Sequence, residues 1–171
     1  MIEISNKYSN LAAELKDSDD TEFENEINSI REKGDVEMIP ALVEFIKDEA
    51  IDTLRRHKIA ELLGDITTIS AREILIESID SLRGKPALAI VISSLWQSRM
   101  DFTPWLNIFV EIMFDEELYS AIEAVTLIEN SVEKLDDNQK SELRNSIRDR
   151  LIMCKDETRK FLILDMLNNI I

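Results

Sequence analysis

The sequence predicts an all-α protein built from recurring helix pairs, and three observations lead there. Apolar residues recur at spacings of three and four along nearly the whole chain, the signature of one buried helix face and not of a strand. The three Gly and three Pro, about a third of the usual combined share, fall only at the ends and beginnings of those runs. First helices of successive pairs begin near Asp35, Ser70, Phe102 and Asn138. These steps of roughly 35, 32 and 36 residues lie in the range of helical repeat arrays.

Taken in order, Ile4, Tyr8, Leu11 and Leu15 form the first stripe. Phe23, Ile27 and Ile30 form the second, opened by Asp19 and Asp20 with Thr21 and Glu24 set as a capping box. Ile39, Leu42, Val43 and Ile46 make a third. Ile51, Leu54, Ile59, Leu62, Leu63 and Ile66 make a fourth. Ile74, Leu75 and Ile79 lead to Leu88, Val91, Ile92 and Leu95, where the Ile- and Val-rich run keeps helical spacing over a length that excludes a strand. Leu106, Phe109, Val110 and Met113 precede Leu118, Ala121, Val125 and Ile128. Leu143, Ile147 and Leu151 precede Leu162, Ile163, Met166, Leu167 and Ile170, ten helices in all. Gly34, Gly64 and Gly84 close runs as left-handed stops. Pro40, Pro86 and Pro104 stand near starts, where a missing N–H costs little. Thr103 reads as the cap before Pro104.

The pairs also repeat in detail: Pro40, Leu42, Phe45 and Ile46 recur as Pro104, Leu106, Phe109 and Val110. Such a unit cannot bury its apolar face alone and must stack on its neighbours. The stretch holding Pro40, Asp48, Arg56, Ala60, Leu63 and Gly64 resembles a HEAT repeat. Ala124, Val125 and Ile128 keep part of the same pattern. The resemblance implies a right-handed α-solenoid of about four HEAT-like helix pairs, residues 35–69, 70–101, 102–135 and 136–171, preceded by two N-terminal capping helices in 1–34. All 171 residues then form a single repeat domain, and its second helices line a concave binding surface.

Charge and composition narrow the function. Thirty-five acidic against 20 basic residues leave a net charge of −15, which disfavours nucleic acid and anionic lipid, since both are held through Lys and Arg. The acid is uneven: residues 1–50 carry −9, 51–100 carry +1, 101–135 carry −7 and 136–171 are neutral. The uncharged stretch Pro86 to Ser98 is too short for a bilayer, and no signal segment opens the chain. A cytoplasmic protein is expected.

Enzyme chemistry finds little purchase. Gly84, Lys85 and Pro86 lack the rest of a phosphate loop, and one histidine cannot build a zinc helix. Cys154 reads as a small buried hydrophobe. The carboxylates Asp17, Asp19, Asp20, Glu22, Glu24 and Glu26, with Asp115, Glu116 and Glu117, read as solvation and capping at helix starts. No catalytic residue, cofactor or metal is assigned. Trp96 and Trp105 are expected to fill the core, while Gln97, Ser98, Arg99 and Asp101 between them bond across repeats or meet a partner.

The remaining reading is an interaction module for a protein or peptide, with a basic partner favoured by charge. Helical wheels turn Thr53, His57 and Glu61 outward on one second helix, Glu123 and Leu127 on another, and Phe161, Leu164 and Asn168 on the last. A solvated His57–Glu61 pair is the plainer account of the first group. Phe161 and Leu164 leave the final helix apolar outside, which predicts a homodimer through the C-terminal helix. Two alternatives stand beside the module. One is an acidic inhibitor or immunity-type protein acting by polyanion mimicry, motivated by residues 1–50. The other is an enzyme of the DNA glycosylase or bilin lyase type, which some similar helical-repeat proteins are, and which the charge balance least favours.

Overall fold

Side chains satisfy the free backbone amides at the starts of five helices: Asp19, Asp52, Thr68, Asp136 and Asp156 each accept from the first turn that follows. The structure, a computed structural model describing residues 6–98 and 100–169, contains α1 (Leu11–Asp17), α2 (Asp20–Lys33), α3 (Ile39–Lys47), α4 (Thr53–Asp65) and α5 (Ile69–Leu82). There follow α6 (Ala87–Gln97), α7 (Leu106–Asp115), α8 (Leu118–Val132), α9 (Asp137–Met153) and α10 (Glu157–Asn169). Short 3₁₀ turns precede α1, α3 and α7, and among the described residues there is no strand. Ile4, Arg99, Ile170 and Ile171 lie outside those residues. No described helix is long and apolar enough to cross a membrane.

Several expectations about punctuation need correction. The capping box of α2 is Asp19 with Glu22, two residues ahead of Thr21 and Glu24: the Asp19 carboxylate accepts from the Thr21 and Glu22 amides at 2.9 Å. The carboxylate also places negative charge at the helix N-terminus, which a Thr hydroxyl cannot. Asp101 accepts from the Thr103 amide at 3.0 Å, so Thr103 lies inside the 3₁₀ turn and is not its cap. Gly34 and Gly84 do stop helices with φ of 60° and 68°. Gly64 does not; it lies within α4, where a Cβ would meet the Ser94 carbonyl oxygen of α6 at 3.0 Å. It is glycine because two helices touch there.

The described chain divides into two compact units, residues 1–98 and 99–171. In the first, α1 packs on α3 and α3 on α5, while α2 packs on α4 and α4 on α6. Phe23 of α2 stacks on Phe45 of α3 at 5.8 Å, and the Arg55 guanidinium lies 4.8 Å over the Phe23 ring. In the second unit α7 packs on α8, α8 on α10 and α10 on α9, with Phe102 and Phe109 edge to face at 6.2 Å.

Several ion pairs span 32 to 35 residues. Lys16 pairs with Asp48, 32 residues on, at 2.6 Å, and Arg31 with Asp65, 34 on, at 3.2 Å. Arg55 reaches Asp20 across 35 residues at 2.8 Å, Lys58 pairs with Glu24 across 34, and Arg150 with Asp115 across 35 at 2.8 Å. Each pair joins one helix pair to the next. Asp48 is thus held by Lys16, with Arg56 adding a weaker electrostatic pull.

Burial differs from expectation at several places, Leu118 at the start of α8 among them, exposed although counted in an apolar stripe. Leu54, counted in the fourth stripe, is 67% exposed because α4 begins only at Thr53 and turns this residue outward. Trp96 and Trp105 are each half-buried, and Phe102 fills the core instead. Cys154 is half-exposed beyond the end of α9, its thiol 3.7 Å from the Asp156 carbonyl oxygen. Pro40, Leu42, Phe45 and Ile46 are all buried, whereas the recurring Pro104 is exposed.

Candidate functional groove

The Gly64–Ser94 approach brings α4 and α6 together beside a concavity that both helices line. With no Cβ at Gly64, α4 settles onto α6, and the two helices bury Ile59, Ala60, Leu62 and Leu63 beside Leu88, Val91, Ile92 and Leu95. Their outward sides diverge. Between them lies an open groove of about 260 Å³, walled by His57, Glu61 and Asp65 on one side and Ile90, Ser93 and Gln97 on the other. Ser94 and Ser98 close its floor and end.

The hydrogen bonding of the groove favours acceptors. His57 Nδ1 donates back to the Thr53 carbonyl at 2.8 Å and not forward to Glu61, which makes Nε2 the acceptor of the neutral ring. Gln97 donates to the Ser93 hydroxyl at 3.0 Å, and its amide oxygen adds an acceptor to the lining. Ser94 and Ser98 spend their hydroxyl protons on Val91 and Leu95 carbonyls of their own helix. Glu61 is exposed, and Asp65 shares its charge with Arg31. A ligand donor or cation finds partners here. A nucleophile does not: the groove serines bond to their own helix, and His57 is oriented by a backbone carbonyl rather than a carboxylate. Among the described residues no cluster of three acidic, His or Cys side chains could hold a metal ion.

A second groove, between α2 and α4, measures about 270 Å³ and is lined by Asp20, Phe23, Glu24, Asp52, Arg55 and Lys58 with Leu54. Its charges are matched internally by the Arg55–Asp20 and Lys58–Glu24 pairs. It reads as a joint between α2 and α4.

The structure brings His57 and Glu61 together in the first groove, with Thr53 exposed one turn before them. It keeps Phe161, Leu164 and Asn168 exposed on α10, with Phe161 at 75%. Glu123 is half-exposed. Leu127 is the correction: at 1% exposure it lies in the core, because α8 packs on both α7 and α10 and so buries a broader arc than one apolar stripe. Of the opposite wall, Gln97 is among the residues expected to bond across repeats or meet a partner, whereas Ile90 and Ser93 carry no such expectation, although the wheel on Ala87 to Gln97 turns all three outward.

No family model, curated protein or solved structure matches this chain. Its function is therefore argued from the groove and the surfaces around it.

Proposed function

We propose that the chain is a HEAT-like α-solenoid that works as a non-enzymatic interaction module, binding a protein or peptide along the second helices of its repeats. The α4–α6 groove is the seat of binding in the first unit. The observation that carries this reading is the groove's composition: acceptors from Glu61, Asp65 and Gln97 around an apolar wall of Ala60 and Ile90. Such a site suits a donor-rich or basic segment, since apolar contact supplies affinity and acceptors fix orientation. Ion pairs recurring at 32 to 35 residues support the repeat assignment.

Polyanion mimicry has the −9 charge of residues 1–50 in its favour. Against it, Asp20, Glu24, Asp35 and Asp48 are each paired with a Lys or Arg, so the surface offers less free anion than the count suggests.

The test is capture of partners from source-cell lysate by the intact chain and by a Glu61→Lys/Gln97→Lys variant, with circular dichroism verifying equal folding. A stoichiometric protein partner held by the native chain and lost by the variant supports the reading. Equal retention by the variant refutes the groove as the seat.

A further inference from the structure

In the second unit, α8 and α10 run parallel. Arg159 at the start of α10 donates to the carbonyl of Glu116 just ahead of α8, and Asn169 at the end of α10 bonds Glu129 near the end of α8. Glu129 also stands beside Asp165. Residues four apart, or seven apart, share a helix face. Phe161 therefore precedes Asp165 on the face toward α8, and Ile122 precedes Glu129 on the face toward α10. Phe161 is 75% exposed and Ile122 39%. The seam between the two helices is apolar at its beginning and acidic at its end.

We propose that this α8–α10 seam docks a segment of a protein partner carrying a bulky apolar anchor and a Lys or Arg about 6–10 Å away, the distance that four to seven residues of helix rise separate the seam's two ends. The proposal deepens the interaction reading above and rests on it, but uses other residues than the α4–α6 groove. Charge complementarity selects the occupant. Residues 101–135 hold one basic residue against eight acidic, so no cation of α8 itself neutralises the seam. Burial, and then the Asp165 carboxylate, push the Glu129 pKa up, as expected where an acid lacks a matching cation. A bound Lys or Arg supplies it, while the anchor covers Phe161 and Ile122. A second copy of this acidic chain fits the seam poorly, since it brings like charge to the Glu129 end.

Selection of a displayed random dodecapeptide library against the intact chain tests this. The expected winners carry a bulky apolar residue with Lys or Arg two or three positions away when extended, or one to two turns away when helical. Phe161→Asp, at a largely exposed position, weakens them at least about tenfold. Glu129→Gln/Asp165→Asn keeps the anchor but abolishes the preference for Lys or Arg, and Glu61→Lys/Gln97→Lys leaves them bound. Winners lost only in the Glu61→Lys/Gln97→Lys variant would overturn this inference while sparing the first groove. Absence of any winner overturns both. Sedimentation showing a dimer that Phe161→Asp dissolves would make the seam a self-contact and overturn it as well.

Discussion

Arg159→Ala is the substitution whose cost the structure specifies most closely. The Arg159 guanidinium, 11% exposed, donates at 2.6 Å to the carbonyl of Met113 and at 2.6 Å to that of Glu116, which closes the C-terminal end of α7. Asp156 caps α10 through the Arg159 amide at 3.1 Å and lies 3.8 Å from the Arg159 Nε. Removing the guanidinium strips two charge-assisted hydrogen bonds and a cation from a helix C-terminus, where carbonyls carry partial negative charge. Water recovers part of this loss, so we expect unit 2 to lose about 2–4 kcal/mol. Arg159→Lys restores at most about half, because an ammonium does not span two carbonyls as a planar fork does. For comparison, Arg150→Ala removes an exposed pair with Asp115 and is expected to cost under about 1 kcal/mol. Equilibrium urea unfolding in a Trp96→Phe background, with Trp105 as the reporter of its own unit, measures all three. A loss below about 0.5 kcal/mol for Arg159→Ala, or full rescue by Lys, refutes the reasoning.

Other outcomes follow from the same contacts. Gly64→Ala forfeits the usual gain of about 1 kcal/mol for alanine in a helix because its Cβ meets Ser94; thermal melting should show no stabilisation, and a clear rise in Tm contradicts the close approach. Asp35 is held down to about 2 by hydrogen bonds from Lys7 and Tyr8, with the Glu37 amide adding to them. Its folded pKa is the lower one, so its contribution is present above the ordinary value of 3.8 and is lost as pH falls through about 2. Asp35→Asn should flatten that acid limb in a pH series of urea midpoints, and an unchanged limb rules the pairing out. Leu127→Ala should cost about 2–4 kcal/mol as a core truncation; a loss indistinguishable from a surface change would return Leu127 to the surface.

The helices were readable because burial on one side imposes a period of three and four, and among the described residues the runs of that period correspond to the ten α-helices. What the period hides is a helix packed on two sides. Along α8 the second contact line is built from Ser120, Ala124 and Ser131, small residues of which the two serines read as surface. The Ser131 hydroxyl returns its proton to the Leu127 carbonyl at 2.8 Å, which makes it fit for burial. A wheel weighted by apolar residues cannot register that line, so it turned Leu127 outward. Gly64 misled for a related reason: left-handed stops and close helix contacts both select glycine, and only the position of Ser94 distinguishes them. His57 and Glu61 were legible as outward residues on α4, but the opposite wall required knowing which helix α4 meets.

Arg55 repeats the arrangement seen at Arg159. It is capped by Asp52 at the start of its helix and donates to the carbonyl of Ser18 at the end of α1 at 3.1 Å. In both units the arginine follows its target in the chain, Ser18 by 37 residues and Met113 by 46. During synthesis the earlier helix therefore leaves the ribosome with bare carbonyls and waits about 2–9 s, at roughly 5–20 residues per second, for its cap to arrive. The order of assembly is written into the direction of these two bonds: the pair holding α4 closes the end of α1, and the pair holding α10 closes the end of α7.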